Sequence, residues 1–517
     1  MAQSYDDFKK ENRLKLFGHE DAVKEKEERL SSYYYKTTQY EDVISDIGMQ
    51  IIIGEKGTGK SALLKMAFME TKDSDVTTIW IRLDELSELY NEILNAENLY
   101  QLKTLWKRSI SKLVVMKLAS SIELACGEDY EKALQWAYSS GYASRDFIAR
   151  TAKMLKPMYE KYITPEIDDL DKGERGVMLR MIEHKQVRLF FDDFDLDWKG
   201  NAQDILKIKS LLLSLSDMTS DMDGLSVRIA LRTDVYDMIR NEEFSDKLES
   251  SIIRCKWNNR EIIKALAKRI CSYYNIFFDE EATRDDLTMQ YNLVKYLNYV
   301  FEARFDKSTR VWGDAPTHRV IFSLIRRKPR DMVKLCLSVA EDAYSQKLNK
   351  INAACFLNIL ESYSQERLKD LVNEYRNQLP KLQDLLVRMA PTKLEIQSKS
   401  SERYVYSTTE LHTKIKNIQQ NMSLKIYQPI SESLQMADFH QISHFLYKIG
   451  FITGRKRNLS GKISRVYFDE SPYLLNINTG DGGYAWEIHP AYRGALAKGI
   501  NDSWENTLDV EDDEDDL

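Results

Sequence analysis

The chain has 517 residues, 43% of them hydrophobic and 30% charged, with only 9 Pro and 20 Gly. That length exceeds one ordinary core and predicts about two to four domains, compact and helix-rich rather than disordered. No apolar run approaches the roughly 18 residues of a membrane-spanning helix, and the N-terminus has no signal-peptide pattern, so no membrane association is expected. Five scattered cysteines, Cys126, Cys255, Cys271, Cys336 and Cys355, never fall in C-x-x-C spacing. This argues against a disulfide framework or a zinc site and predicts a cytoplasmic protein. The formal charge of −7 is uneven: nine acids and no base occur from Asp502 onward, leaving the body near +2. Such a tail reads as a solvated, disordered segment, or as an acidic plug for a basic surface.

In chain order, residues 1–46 form a polar helical segment. Residues 49–54 are a short Ile-rich run ending in glycine, the pattern of a buried strand. A helix follows with Ala62, Leu63, Leu64, Met66, Ala67 and Phe68 on its apolar side. Residues 76–83 predict a second strand, 187–191 a third, 225–231 a fourth and 251–257 a fifth, with a long helical insertion at about 86–186. Apolar strands separated by helices predict a parallel sheet covered on both faces within a core of residues 47–257. Residues 258–345 and 346–425 read as a helical domain and a helical linker region. Residues 426–500 return to mixed structure, with a helix at 439–449, a basic loop at 455–463 and short strands at 466–468 and 485–488. Residues 501–517 complete the chain as the acidic tail.

The run Gly54-Glu55-Lys56-Gly57-Thr58-Gly59-Lys60-Ser61 matches G-x-x-x-x-G-K-[ST], and with Ala62 it forms the candidate nucleotide-binding stretch. Glycines let the backbone turn tightly and present successive N–H groups to phosphate oxygens. The helix that opens at the loop adds its positive dipole end. Lys60 is suited to the β- and γ-phosphates and the Ser61 hydroxyl to Mg²⁺, so ATP with Mg²⁺ is the predicted ligand pair.

Such a loop calls for a partner acid at the end of another apolar strand. Leu189-Phe190-Phe191-Asp192-Asp193 supplies it, with Asp192 as the metal-site acid and Asp193 placed to polarise water. Asp195 or Asp197 is an alternative base, and a solvated acidic loop is the bland reading. After the fourth strand come Arg232 and Thr233, either of which is a candidate γ-phosphate sensor. Arg455, Lys456, Arg457, Lys462 and Arg465 place five positive charges in eleven residues without an acid. They predict contact with nucleic acid, with a protein partner, or with solvent alone.

These residues, in this order, resemble the AAA+-like branch of the ASCE P-loop ATPases, including the STAND group and the Orc/Cdc6-like origin-recognition initiators. The stretch 253–261 looks like the strand-to-lid junction of that branch. Arg326-Arg327-Lys328-Pro329-Arg330-Asp331-Met332 resembles its lid motif, which implies Arg330 as a second phosphate sensor. Residues 439–493 resemble a winged-helix domain. The loop is also similar to that of a little-characterised group of bacterial P-loop ATPases often found with phage-defence genes. The resemblance implies an α/β fold: a parallel-sheet P-loop NTPase core with a helical insertion, an all-α lid and a C-terminal winged-helix-like α+β domain. It further implies an ATPase switch that forms a homo-oligomer and controls a separate effector protein. Arg254 or Arg240 would act in trans, and Phe17, Tyr33 and Tyr34 would either stack on adenine or pack in the core. Two alternatives stand beside it, a DNA-bound loader and a non-hydrolysing ATP-binding scaffold. The long insertion and the Asp-Asp pair in place of Asp-Glu depart from the pattern, the latter bearing on hydrolysis.

Overall fold

The computed structural model describes residues 4–72, 76–86, 98–120, 178, 182, 186–195, 198–240, 248–280, 289–306, 311–429, 431, 433–458, 462–475, 481–497 and 504–508. The chain opens with helices α1 (Lys10–Phe17), α2 (Glu27–Tyr33) and α3 (Thr38–Ile44). Strand β1 (Met49–Gly54), α4 (Lys60–Lys72), β2 (Thr77–Ile81) and α5 (Leu99–Ser120) follow. Next come β3 (Val187–Phe191), α6 (Ala202–Asp221), β4 (Leu225–Arg232), α7 (Thr233–Ile239) and β5 (Ile252–Arg254). Helices α8 (Asn259–Tyr274), α9 (Met289–Leu297), α10 (Thr317–Leu324), α11 (Pro329–Ser345) and α12 (Ala353–Tyr375) continue the chain. Then come α13 (Leu382–Arg388), α14 (Lys393–Lys399), β6 (Val405–Tyr406) and α15 (Thr408–Gln420). The chain closes with β7 (Lys425–Gln428), β8 (Ser433–Met436), α16 (Phe439–Lys448), β9 (Ile452–Arg457), β10 (Ile463–Val466), β11 (Ala485–Ile488) and α17 (Pro490–Leu496).

Two compact units result. One comprises Thr38–Gly54 and Leu63–Arg254; the other comprises Met1–Thr37, Glu55–Ala62 and Cys255–Leu517.

The first unit is an α/β layer. Its five strands run parallel in the order β2-β3-β4-β1-β5. Every residue of β1 and β3 is buried, as expected for inner strands covered on both faces. Register pairs Gly54 with Arg232 and Phe191 with Ile229, so β4 lies between β1 and β3 and all three finish on one edge. Of the predicted insertion, α5 is described and packs on α6, where Trp106 Nε1 donates to Ser210 Oγ at 3.0 Å; residues 121–177 lie outside the described residues. Two arginines interrupt the apolar strands. Arg228 Nε donates to the Val43 carbonyl at 2.6 Å and its Nη1 to that of Ile47 at 2.8 Å. Arg188 reaches the Ile44 carbonyl at 2.9 Å and Asp46 at 3.0 Å. Burial, reinforced by neighbouring Arg188, brings the Arg228 guanidinium down to about 9. Both side chains satisfy the carbonyls of the turn that leads into β1.

The second unit is built on helices. Asn258 and Glu261 form a capping box at the start of α8, and Pro329 occupies the first turn of α11, where no backbone donor is needed. Leu16 and Phe17 of α1, Ile262 and Leu266 of α8, and Leu335 and Val339 of α11 share one buried cluster. That cluster continues through Leu360 and Leu371 of α12, Leu385 of α13 and Leu411 of α15 to Trp486 of β11 and Tyr492 of α17. Residues 346–425 therefore share the core of the segments on either side.

The C-terminal part of this unit carries an antiparallel sheet, β10-β9-β11-β6, and the separate hairpin β7–β8. Here two expectations are corrected. The basic stretch at 455–463 is not a loop, because β9 pairs with β10 through Arg457↔Ile463 to Gly454↔Val466. Its charged pattern hid a strand whose Arg455, together with its cross-strand partner Arg465, faces the buried Glu487. Trp504–Thr507, read as part of the solvated tail, instead form a 3-10 turn, with Trp504 and the following Leu508 buried, because those two apolar side chains have a core to enter. Residues 509–517 lie outside the described residues.

Candidate functional site

Within the helical unit, the glycine-rich loop takes the backbone shape its sequence predicts. Gly57 and Gly59 hold φ of 91° and 92°, a region costly for any residue with a Cβ. A Cβ on Gly57 would also lie 2.9 Å from that of Arg330. Lys60 is the first residue of α4, so the loop's last amides form the open end of that helix. The Lys60 ammonium folds over the turn and donates to the Glu55 carbonyl at 3.0 Å, and Thr58 Oγ1 closes on the same carbonyl at 2.9 Å.

The sequence assigns no role at the loop to several residues that lie beneath it. Trp257 Nε1 donates to the Thr58 carbonyl at 2.7 Å, and Cys255 Sγ reaches the same atom at 3.3 Å. The Lys56 amide donates to Glu374 of α12 at 2.8 Å. Lys328 forms an ion pair with Glu55. Only the pairing of distant segments brings these groups together. Arg330 donates its backbone N–H to the Gly57 carbonyl at 3.2 Å, while its guanidinium Nε turns to the Glu20 carbonyl at 3.1 Å. It is thus in the loop's first contact layer through its main chain.

A fixed charge cluster supports this end of α11. Asp331 is bound by Arg326 at 2.7 Å and 3.1 Å and by Arg367 at 2.5 Å, all three side chains buried. Burial alone would raise the Asp331 carboxyl, yet the two arginines hold it well below the usual carboxylate range. A cleft of about 310 Å³ opens alongside, lined by Lys56, Arg330, Lys334, Asp370 and Glu374 among others.

The predicted acids lie in the α/β unit. Asp192 follows β3 directly and is buried, whereas Asp193 is exposed with φ of 60°. Asp195 is buried, and its carboxylate accepts the Arg232 backbone N–H at 2.9 Å. The Arg232 side chain is held by Asp234, and Thr233 begins α7. Asp197 lies outside the described residues. Arg254 is exposed at the end of β5, and Arg240 is exposed with Asp237 3.8 Å away.

Other predicted residues are accounted for differently. Phe17, Tyr33 and Tyr34 are buried in the helical unit, and Arg269 covers the Tyr33 ring at 4.2 Å from its centroid. Of the three, Phe17 belongs to the buried cluster of that unit. Of the five clustered cations, Arg455 and Arg465 point inward to Glu487, which also binds Arg493 at 2.7 Å. Lys456 and Arg457 are exposed and Lys462 is half-buried. Among the described residues, Cys255, Cys271, Cys336 and Cys355 are free and buried. No helix among them is long and apolar enough to cross a membrane.

No known protein-family profile matches the chain. Over 532 aligned positions it is 21% identical to a putative transposon gamma-delta 80.3 kDa protein of Escherichia coli (strain K12), spanning 95% of this chain and 69% of that protein. Among solved structures it is similar to the Orc1 protein of Aeropyrum pernix in complex with DNA, with a TM-score of 0.33, 10% identity and coverage of 94% and 96% of the two chains. It is also similar to Cdc6p of Pyrobaculum aerophilum, with a TM-score of 0.29, 11% identity and coverage of 94% and 97%.

Proposed function

We propose that this chain binds ATP with Mg²⁺ and hydrolyses it as a molecular switch. The observation that carries the reading is the loop itself, with two glycines at positive φ directly before a lysine that opens a helix. Its amides and Lys60 bind the β- and γ-phosphates. Ser61 in the first turn of α4 and the buried Asp192 have the hard oxygen ligands that suit Mg²⁺, which when bound supplies charge neutralisation at the phosphate oxygens. Asp193 orients the attacking water, and Arg232, at the end of the strand between β1 and β3, responds to the γ-phosphate. Arg330 joins the loop to α11 through its backbone and is the second candidate sensor.

The switch is read as a homo-oligomer, with Arg254 or Arg240 completing a neighbouring site, that controls a separate effector protein. Its placement in phage defence rests on the loop's resemblance alone. A second reading, a DNA-bound loader, is favoured by the outward Lys456, Arg457 and Lys462 on the β9–β10 hairpin. The Asp-Asp pair favours a third, a scaffold that holds ATP and turns it over barely.

Uptake of labelled ATP in the presence of magnesium is the direct test. Wild type is expected to bind and Lys60→Ala to lose binding by on the order of a hundredfold. Full uptake by Lys60→Ala would overturn the reading, and equal low turnover in wild type and Asp193→Ala would leave only the scaffold.

A further inference from the structure

Three consecutive residues of the phosphate loop are held through their backbone by the helical unit to which the loop belongs. The Lys56 N–H is taken by Glu374, the Gly57 carbonyl by the Arg330 N–H, and the Thr58 carbonyl by Trp257 and Cys255. Of these partners Glu374 is the one buried carboxylate, 3% exposed at the C-terminal end of the long helix α12. A carboxylate beneath a loop intended for a polyanion is unfavourable for binding unless its charge is balanced and its position serves a purpose. The balance is present. Lys328, 4% exposed, bonds to Glu55 and is favoured in its charged form by Glu55 and Glu374, although burial and Arg326 oppose it. The purpose follows from the geometry. A charged acceptor 2.8 Å from the Lys56 nitrogen fixes the peptide plane just ahead of the Gly57 turn, so that the following amides are aligned before phosphate arrives.

We infer that Glu374 is a positioning residue of the phosphate loop, acting through the Lys56 amide. The inference rests on the reading of the loop as an ATP site. The same helix carries Ser364, whose hydroxyl accepts the Ala495 N–H of α17 at 2.8 Å, so the residue that sets the loop belongs to an element also tied to the C-terminal segment.

The test compares labelled-ATP affinity and steady-state turnover in Glu374→Ala, Glu374→Asp and Glu374→Gln, beside Lys60→Ala. Losing a charge-assisted bond that preorganises the loop should raise the ATP Kd and KM of Glu374→Ala by roughly tenfold or more. Its kcat should stay within about threefold of wild type. Glu374→Gln keeps an acceptor oxygen in place and is expected to recover most of the affinity. Glu374→Asp keeps the charge but withdraws it by about 1.5 Å, and is expected to behave like the alanine variant. A residue needed only for folding would lower the active fraction in all three and leave Kd unchanged. If Glu374→Ala does not fold, the Asp and Gln pair decides: wild-type affinity in Glu374→Asp with loss in Glu374→Gln would overturn the inference. Wild-type affinity in Glu374→Ala, with binding lost in Lys60→Ala, overturns it while leaving the ATP site intact. Absence of ATP binding in wild type overturns both.

Discussion

The Arg232 guanidinium lies against Asp234 as a two-point pair, with Nε 2.9 Å and Nη2 2.6 Å from the two carboxylate oxygens. Asp234 is almost wholly buried and Arg232 about one quarter exposed, so the acid is the fixed member and the arginine the one that can exchange partners. The Arg232 backbone is held in turn by Asp195, four residues beyond Phe191. The end of β4 is therefore set from two sides, with the arginine side chain held by Asp234 and its backbone by Asp195.

If that arginine answers to the γ-phosphate, Arg232→Ala should lower kcat by roughly ten- to a hundredfold while ATP affinity stays within about threefold. Asp234→Asn, which keeps one acceptor, should show a smaller loss of the same kind. Single-turnover hydrolysis beside equilibrium ATP binding makes the comparison. A change in affinity alone would assign Arg232 to ground-state binding.

Asp193 combines a solvent-exposed carboxylate with a left-handed backbone, φ 60°. Asp and Asn accept that conformation better than other residues with a Cβ. Asp193→Asn is therefore expected to keep the turn and remove only the charge, whereas Asp193→Ala adds about 1 kcal/mol of backbone strain. A water-orienting role predicts matching losses of turnover in both variants, with thermal stability lowered only in the alanine one. Wild-type turnover in Asp193→Asn would transfer the role to another acid, and Asp195, already engaged by the Arg232 N–H, is a poor substitute.

The strands and the loop could be read in advance because each depends on local chemistry. An Ile-Ile-Ile run fits only a buried strand, and Gly57 and Gly59 mark turns that other residues resist. Arg188 and Arg228 were opaque for the opposite reason. Nothing in an apolar strand announces that its arginine will serve carbonyls 144 and 185 residues earlier in the chain. Glu374 reaches the loop through tertiary packing and has no spacing signature, and the junction-like and lid-like stretches that hold Trp257 and Lys328 do not reveal their contacts with the loop. The basic run misled because strand alternation sends Arg455 and Arg465 to an acid on β11, which no inspection of neighbouring residues reveals.

Glu487 lets that packing be weighed by pH. Burial would raise this carboxyl, but Arg465 and Arg493 bring it down to about 2 from the ordinary 4.5. A depressed carboxylate stabilises the fold fully above pH 4.5, and the contribution is lost as the pH falls toward 2. The difference corresponds to roughly 3 kcal/mol for a fully buried group. Denaturant unfolding followed at pH 7 and at steps down to pH 3 should show wild type losing stability in that acid window. Glu487→Gln should be weaker at pH 7 and flatter below it. Equal acid slopes in the two proteins would mean that the arginines do not hold the carboxylate as the geometry indicates.

The outward cations of the β9–β10 hairpin make a different kind of prediction, because exposed and buried charges fail differently. If the hairpin grips a phosphate backbone through Lys456, Arg457 and Lys462, each contact releases counterions and steepens the salt dependence by about 0.9. The triple alanine variant should then reduce the slope of log affinity against log salt by roughly 2 to 3, at unchanged stability. Arg465→Ala should leave that slope alone and instead destabilise the protein by about 3 to 5 kcal/mol, since it strands a buried carboxylate beside its remaining partners. Anisotropy of labelled duplex DNA across salt concentrations, with thermal unfolding of the same samples, separates the two effects. An unaltered slope in the triple variant would assign those three side chains to solvent or to a protein partner and remove the support for the DNA-bound reading.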